Sequence, residues 1–392
     1  MDRRGFVTST MTAGLAGLSG TALGGLSARG NAPGFLARLL GAEGARGGAL
    51  EDYPPGGIKL SSNENPLGLS PAARSAAIDA LGHANRYPHD YAPAVYEALA
   101  EYTGVAPENI VLGAGSTEVL QMAVQAYQGP NVPLVIAEPT FEDVPRYQKP
   151  FPYNVHAVPL TRDDRHDLER MREVAEEHRR PAVVYICNPN NPTGTITPSS
   201  EVDAWIADAP ETTTFLVDEA YYEYADHPEY RTALPWIQDH PNVIVVRTFS
   251  KIFGMAGMRL GYGVAHPDTI GRLRDFVMAN NPNVLAAAAG IASLRDPELI
   301  SRSRSVNDDA KEIAEVTLTE LDLEFLPTYT NFILHRIHGD LREYIARMRE
   351  AGIRVGRPFP PMLEWNRVSF GLPSEMAQWA DTLRSFRAKG WV

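Results

Sequence analysis

Short apolar segments alternate with amphipathic segments between residues 109 and 264, and this alternation constrains the fold more than any other feature. The apolar segments are rich in Val, Ile and Leu and lack two-residue polar alternation, which is typical of strands buried on both faces. Amphipathic stretches such as residues 163–180 separate several of them and predict helices with a solvated charged face. The pattern therefore predicts a mostly parallel α/β sheet with helices on both faces. The predicted strands are residues 109–112, 133–137, 182–187, 214–217, 243–246 and 260–264.

The pattern changes past about residue 300. A long charged helix, several strand-like segments and a last helix predict a smaller α+β domain there. We therefore predict four regions along the chain. These are a signal and linker at 1–48, an N-terminal arm and part of the small domain at 49–85, a large ligand-binding domain at 86–300, and a small C-terminal domain at 301–392.

Composition narrows the possible functions. The 392-residue chain has a formal net charge of -12, which argues against a nucleic-acid partner. Its single cysteine, Cys187, excludes an intramolecular disulfide framework and a multi-cysteine zinc site. No apolar segment reaches the roughly 18 residues that a membrane-spanning helix needs, so no membrane span is expected.

The N-terminal segment differs from the rest of the chain. Arg3 and Arg4 precede Phe6 and a weakly apolar stretch rich in glycine and alanine, an order typical of twin-arginine export signals. A disordered tail or a misassigned start codon would explain the same residues. The nearest small-residue stretch, LSARG, is not a clean cleavage site. We expect a periplasmic or secreted protein, and a cytoplasmic one if the signal is not functional.

Glycine-rich and polar loops follow the predicted strands, at the edge of a parallel sheet where ligands usually bind. After the first strand, Gly115, Ser116 and Thr117 lead into a helix whose N–H groups and dipole can bind a phosphate. Glu118 stands where a dinucleotide-binding fingerprint would have its third glycine, so this loop alone is weak evidence. After the third strand, Asn191 lies in the constrained turn NPNNPTG, which an ordinary proline-rich loop would equally explain.

Charged side chains follow the fourth and fifth predicted strands. Asp218 comes directly after the fourth predicted strand, and Tyr221 comes three residues later. Lys251 follows the fifth strand, and Arg259 comes eight residues after it in a glycine-rich turn. Most lysines in such loops are surface lysines, so the residues at the other strand ends must decide the role of Lys251. A metal site is not expected, because no second cluster of carboxylates and histidines has suitable spacing.

This combination of residues fits pyridoxal 5′-phosphate better than a nucleotide. Lys251 would attach covalently to the aldehyde, which requires a neutral, desolvated amine. Asp218 would pair with the pyridine nitrogen, while Asn191 and Tyr221 would hydrogen-bond the ring hydroxyl. Around the phosphate and the ring face we expect Gly115, Ser116, Thr117, Thr248, Ser250 and Arg259, with Phe141 stacked on the ring.

Five motifs resemble those of the class I/II pyridoxal-phosphate aminotransferases of fold type I: SSNENPLG, RYPHDY, NPNNPTG, DEAYYEY and TFSKIFGMAGMRLGYG, in that order. Within this class the chain is most similar to the histidinol-phosphate aminotransferase group, over about residues 58–391. The resemblance implies transfer of an amino group between an amino acid, or an amino-alcohol phosphate, and a 2-oxo acid. It makes Lys251, Asp218 and Tyr221 the catalytic residues. It also implies a homodimer with shared active sites and ping-pong kinetics.

The resemblance also assigns residues outside the sheet-edge loops. Tyr87 of the RYP motif would reach the partner subunit's cofactor phosphate, although a core or helix-capping tyrosine would fit the sequence too. Arg367 would bind the substrate carboxylate. Arg357 would lie near the distal end of the substrate, or would be an ordinary surface salt-bridge residue. Asn331 would orient the site, and Asn65 of the NENPLG loop would border the substrate.

Two features, the phosphate-binding loop and the stacking residue, depart from the pattern of the group. The phosphate-binding loop has Ser116, Thr117 and Glu118 in place of an acidic pair, and Phe141 replaces a stacking tyrosine. An exported enzyme would also not meet the phosphorylated intermediates of histidine biosynthesis, so the substrate stays open.

A pyridoxal-phosphate lyase or decarboxylase would use the same fold and lysine. A nucleotide-binding oxidoreductase would need the third glycine, and a non-catalytic binding protein would be expected to lose the lysine or the aspartate.

Overall fold

Parallel strands form the centre of the structure, a computed structural model that describes residues 57–147, 150–151, 153–177 and 180–392. The predicted export segment and linker at 1–48, and residues 49–56 of the predicted arm, lie outside the described residues. None of the described helices is both long and apolar enough to cross a membrane.

The helices and strands alternate along most of the chain. Up to residue 218 they are β1 (Ile58–Leu60), α1 (Pro71–Ala80), α2 (Ala92–Thr103), β2 (Ile110–Gly113), α3 (Ser116–Tyr127), β3 (Leu134–Glu138), α4 (Asp143–Arg146), β4 (Val155–Pro159), α5 (Leu168–Glu176), β5 (Ala182–Cys187), α6 (Ser199–Asp208) and β6 (Thr213–Asp218). After it come β7 (Val243–Thr248), β8 (Gly261–Ala265), α7 (Pro267–Arg274), α8 (Val284–Leu294), α9 (Leu299–Glu320), β9 (Phe332–Arg336), α10 (Leu341–Glu350), β10 (Ile353–Val355), β11 (Trp365–Ser369) and α11 (Pro373–Ala388).

Several helices begin at a polar residue that caps them. The side chain accepts a hydrogen bond from a backbone N–H of the first turn, which satisfies one of the donors that a helix start leaves free. The capping residues are Ser70 of α1, Asp167 of α5, Asn283 of α8 and Asp340 of α10.

Seven strands form the central sheet in the order β2-β8-β7-β6-β5-β3-β4. Neighbouring strands are parallel except at β8, which is antiparallel to both β7 and β2. The mostly parallel α/β sheet is therefore confirmed, and the predicted strands lie within two residues of their observed ends. Strand β4 was not predicted, because this edge strand is largely exposed and lacks a continuous apolar segment.

Alternate residues of the central strands pack into different hydrophobic clusters. In β5, Val184 and Ile186 belong to one cluster, whereas Val183 and Tyr185 belong to another. Every residue of β5, β6 and β7 is buried. Full burial of such a side chain stabilises the fold by about 1.5–3 kcal/mol relative to leaving it exposed. The sheet is thus covered on both faces, as the continuous apolar segments predict.

A separate hydrophobic cluster lies in the C-terminal region, where Trp379 of α11 packs with Leu318 and Ile333. Leu60 belongs to the same cluster, because β1 pairs in parallel with β10. Strands β9 and β11 form an antiparallel pair there, which gives the predicted α+β character. From residue 57 onwards the described chain is one compact unit, and the domain limits near residues 85 and 300 stay a prediction.

Candidate active site

The loops after β2, β3, β5, β6 and β7 meet at one edge of the central sheet, because these strands run in the same direction. They enclose a cavity of about 180 Å³, called the Lys251 cavity below. Of the predicted residues, it is lined by Ser116, Thr117, Phe141, Asn191, Asp218, Tyr221, Thr248, Ser250, Lys251 and Arg259. Five separate loops thus contribute to one cavity.

Lys251 follows β7 and lines this cavity with its side chain. Its Nζ donates a hydrogen bond of 3.1 Å to the backbone carbonyl oxygen of Asn63 and lies 5.5 Å from the centre of the Tyr221 ring. Burial, with the positive charge of Arg367 as the second cause, lowers the pKa of Lys251 to about 8. The side chain is therefore a cavity amine that is partly neutral near physiological pH, unlike a solvated surface lysine.

Asp218 ends β6 and is almost completely buried. Tyr185 Oη donates a hydrogen bond of 2.8 Å to Asp218 Oδ2, and the Ala220 N–H donates one of 3.1 Å to Oδ1. Burial raises the pKa of Asp218 to about 6, although both hydrogen bonds favour the ionised form. Above that pH the cavity therefore contains a carboxylate that is held in a fixed orientation.

Asn63, which the sequence analysis did not single out, holds Tyr221. Asn63 Nδ2 donates a hydrogen bond of 3.0 Å to Tyr221 Oη, and Asn63 Oδ1 accepts one of 2.8 Å from Ser369 Oγ. Asn63 has a φ of 54°, a left-handed conformation that asparagine tolerates better than most residues. Asn63 thus connects β11 with the loop after β6, and its carbonyl oxygen also orients Lys251.

Asn65, predicted to border the substrate, does not line the Lys251 cavity. Its Nδ2 donates hydrogen bonds to the Ile252 carbonyl oxygen at 2.8 Å and to Ser303 Oγ at 3.0 Å, and its Oδ1 accepts one from the Leu67 N–H. The amide of Asn65 is therefore used to fasten its own loop. Nothing in the NENPLG motif distinguishes the two asparagines, because the difference lies in backbone conformation and tertiary contacts.

The start of α3 forms the polar end of the Lys251 cavity. Gly115 has a φ of 79°, which favours glycine, and a Cβ atom there would displace the guanidinium of Arg259. Arg259 has a φ of 63°, and its Nη1 donates to Ser250 Oγ at 3.4 Å. Together with the hydroxyls of Ser116 and Thr117 and the helix dipole, this guanidinium provides donors for a dianion.

Glu118 occupies the position of the missing third glycine and has a structural role. Its carboxylate is buried and accepts hydrogen bonds from the Ala114 N–H, the Met278 N–H and Asn281 Nδ2. It thereby fixes the loop before α3 to the segment before α8. The acid at this position serves to anchor the loop, and the anion donors come from the residues on either side of it.

A second cavity of about 150 Å³, called the Arg367 cavity below, shares Phe141, Asn191 and Lys251 with the first. Arg367 of β11 is buried and donates hydrogen bonds of 2.5 Å to Asn191 Oδ1 and 3.1 Å to the Ser61 carbonyl oxygen. Burial lowers the pKa of Arg367 to about 10, so the guanidinium stays protonated at neutral pH. A buried guanidinium whose two acceptors are neutral can bind a carboxylate or a phosphate.

Three other predicted residues differ in how they relate to the two cavities. Arg357 lines the Arg367 cavity and pairs with Glu142 at 2.6 Å, so it has both of its expected features, a place at the cavity and a salt bridge. Asn331 is buried and donates to the Glu64 carbonyl oxygen at 3.3 Å, which orients the loop after β1. Tyr87 is 70% exposed and lines a separate surface hollow, which excludes a core position.

The Lys251 cavity is also lined by residues that were not predicted, namely Ser62, Glu64, Cys187, Ala220 and Ala256. A position at the end of a predicted strand could have indicated Cys187. Ser62 and Glu64 follow β1, and only tertiary structure brings that segment to the sheet edge. In the part of the chain that the structure describes, no three His, Cys, Asp or Glu side chains are grouped so that they could hold a metal.

A mostly parallel seven-stranded sheet covered on both faces is the fold of the fold-type-I transferases. A model of the family "Aminotransferase class I and II" matches residues 55–383, and the chain belongs to this family. Histidinol-phosphate aminotransferase 1 of Nitrosococcus oceani is 36% identical over 335 residues, which cover 84% of this chain and 89% of that protein.

Solved structures agree with this assignment. One from Erwinia carotovora atroseptica, of a protein provisionally named a histidinol-phosphate aminotransferase, has a TM-score of 0.84 and 40% identity, and it covers 86% of this chain and 97% of that one. Histidinol-phosphate aminotransferase of Sinorhizobium meliloti, solved in complex with pyridoxal-5′-phosphate, has a TM-score of 0.80 and 26% identity, and it covers 93% and 96%. The protein is an enzyme of the aminotransferase type.

The lowered pKa of Lys251 predicts the pH range in which its amine reacts. Because an amine must lose its proton before it can attack a reagent, acylation of Lys251 should become faster with rising pH, with a midpoint near 8. We would measure this by trace labelling with an amine-specific reagent from about pH 6 to about pH 10, followed by peptide mass spectrometry.

Two arginine variants control this measurement. Arg367→Gln removes a nearby positive charge, so the midpoint for Lys251 should move to higher pH. Arg384→Gln removes an exposed arginine that pairs with Glu320, and it should leave the midpoint unchanged. A wild-type midpoint near about 10.4, the value of a solvated lysine, would contradict the description of Lys251 as a buried amine.

Proposed function

We propose that Lys251 is the catalytic amine of this aminotransferase and that pyridoxal 5′-phosphate binds in the Lys251 cavity. One observation carries the proposal: an amine with a lowered pKa shares a cavity with the carboxylate of Asp218 and with the start of a helix. Family membership and the Sinorhizobium meliloti complex support the choice of cofactor. The helix start supplies donors for a phosphate, and the carboxylate suits a protonated ring nitrogen.

The donor set of the cavity fits this cofactor at both ends. When bound, pyridoxal phosphate supplies an electron-withdrawing ring that stabilises negative charge at the substrate's α-carbon. The phosphate would be held by the lining residues Ser116, Thr117, Thr248, Ser250 and Arg259 and by Gly115, which directly precedes α3. Asp218 would hold the ring nitrogen, Asn191 and Tyr221 the ring hydroxyl, and Phe141 one ring face. Tyr185 would keep the Asp218 carboxylate aligned with the nitrogen through its 2.8 Å hydrogen bond.

Lys251 Nζ would take the proton from the substrate's α-carbon and later return it, acting first as a general base and then as a general acid. A pKa of about 8 leaves a usable neutral fraction near physiological pH while keeping the amine basic enough for this task. Arg367 would bind the substrate's anionic group and so hold the α-carbon near Nζ. The donor would be an amino acid or an amino-alcohol phosphate, such as the compound for which the relatives are named, and the acceptor a 2-oxo acid.

The test compares Lys251→Ala with Lys389→Ala, which removes an exposed lysine near the C-terminus. Each purified protein receives pyridoxal phosphate, a panel of amino donors and a 2-oxo acid, and transfer is measured by mass spectrometry of both products. Wild type and Lys389→Ala should transfer the amino group with ping-pong kinetics, whereas Lys251→Ala should lose more than about 10²-fold in kcat. Release of ammonia or carbon dioxide without transfer would instead identify a lyase or a decarboxylase.

We also propose that the active unit is a homodimer, in which Tyr87 of each subunit completes the Lys251 cavity of the other. In the described part of the chain Tyr87 lines a surface hollow together with Val284, outside both cavities. Phe276 and Met278 are exposed on the segment that leads to this hollow. Exposed apolar and aromatic side chains of this kind are typical of a protein interface.

Subunit mixing tests the shared site. Tyr87→Ala and Lys251→Ala should each be impaired alone, because one lacks a phosphate contact and the other lacks the amine. After equal amounts are dissociated and reassociated, half of the dimers are hybrids with one intact site, so activity should recover to about a quarter of wild type. Mixing without recovery, or a monomer with full activity, would contradict a shared site.

We propose, finally, that the N-terminal segment directs export. The family model begins at residue 55, so Arg3, Arg4 and the weakly apolar stretch after them are additional to the aminotransferase itself. Twin-arginine export accepts folded proteins, which suits an enzyme that acquires its cofactor before it leaves the cytoplasm.

Replacing both arginines tests this proposal. The full chain and a variant carrying Arg3→Lys and Arg4→Lys would be expressed in a bacterium with a working twin-arginine pathway, and aminotransferase activity measured in periplasmic and cytoplasmic fractions. Wild type should appear in the periplasm or the medium, and the variant should stay in the cytoplasm. Equal distribution of the two proteins would contradict the proposal.

A further inference from the structure

We propose that Glu142 neutralises the distal end of the Arg367 cavity, so that the enzyme prefers substrates with a single anionic group and an uncharged side chain. This inference rests on the proposed function, because it concerns the substrate of the same site. It makes Glu142 a residue that determines specificity, beyond the roles of Arg367 and Arg357.

Glu142 and Arg357 form a two-point ion pair at the mouth of the cavity. Arg357 Nη1 donates to Glu142 Oε1 at 3.2 Å, and Nη2 donates to Oε2 at 2.6 Å. Glu142 lies between β3 and α4, whereas Arg357 follows β10, so the pair joins the sheet edge to the C-terminal region. Both side chains also line the cavity, so their charges face any ligand inside it.

The pair changes the charge that a substrate meets. Asp143, the other acid lining this cavity, pairs with Arg146 at 2.8 Å. Among the described residues that line the cavity, Arg367 is therefore the one guanidinium without a carboxylate partner, since its acceptors are an amide and a backbone carbonyl oxygen. One anionic group, a carboxylate or a phosphate, would satisfy Arg367.

A second anionic group on the substrate would lie near Arg357, whose guanidinium is already paired with Glu142. Two donors of Arg357 are directed at Glu142, so a distal carboxylate or phosphate would have to displace that carboxylate or lie against its negative charge. The ring of Phe359 lies beside both arginines, with its centre 4.3 Å from the Arg357 guanidinium carbon and 4.4 Å from that of Arg367. The uncharged polar residues Ser62, Asn63, Thr140 and Asn191 also line the cavity. Phe141 lines the same cavity. Beside these two rings and the uncharged polar residues, an uncharged substrate side chain fits best, and an aromatic one can stack on a ring.

The test measures binding and turnover separately in Glu142→Gln, which keeps the size of the side chain and removes its charge. Calorimetry would give Kd for 3-phenylpropionate, with one carboxylate, and for glutarate, with two. Wild type should prefer 3-phenylpropionate. Glu142→Gln should shift the ratio of the two Kd values towards glutarate by about three- to tenfold, and adding Arg357→Gln should abolish that gain. The same shift is expected in kcat/KM for L-phenylalanine relative to L-glutamate.

Glu320→Gln is the matched control, because Glu320 also pairs with an exposed arginine, Arg384, but lies outside both cavities. It should leave the binding ratio at the wild-type value. An unchanged ratio in Glu142→Gln, or a wild-type preference for glutarate, would overturn the inference. If no amino donor is turned over, the proposed function fails, while the calorimetric ratio still decides whether Glu142 sets the charge preference.

Discussion

Burial of β5, β6 and β7 on both faces is the constraint on which the rest of the structure depends. A strand packed on both sides cannot carry a polar side chain in its middle without a desolvation cost, so the chemically active groups lie where the strands end. Because these strands are parallel, their ends meet at one edge. Strand β8 runs antiparallel to β7, so the turn before it, which contains Arg259, lies at this same edge beside the start of α3.

The site carries charges under conditions that disfavour them. Burial raises the pKa of Asp218 and lowers the pKa of Lys251 and of Arg367, so each group is shifted towards its neutral form. Hydrogen bonds and fixed neighbours keep these groups in place, and two residues next to them, Asn63 and Arg259, have positive φ angles. Such conformations persist only where surrounding contacts enforce them, and they are common at functional sites.

The contacts that join the C-terminal region to the residues around the two cavities include Ser369 with Asn63, Arg367 with Asn191, and Arg357 with Glu142. The Arg367 cavity therefore forms only when the C-terminal region is packed against the loops at the edge of the central sheet. The Lys251 cavity depends less on this arrangement, because most of its lining residues follow strands of one sheet. The site thus combines a rigid part formed by the sheet with a part that the C-terminal region completes.

The amino-acid sequence by itself determined the parallel sheet and the residues at its strand ends, including Lys251, Asp218 and Asn191. These follow from local properties, namely continuous apolar segments and short motifs beside them. The exposed edge strand β4 escaped prediction because it lacks that signal. Tertiary structure alone decided that Asn63 rather than Asn65 holds Tyr221, and that Glu142 meets Arg357. The physical reason is distance along the chain, because such pairs form only after packing brings separate regions together, and no local pattern records which partners will meet.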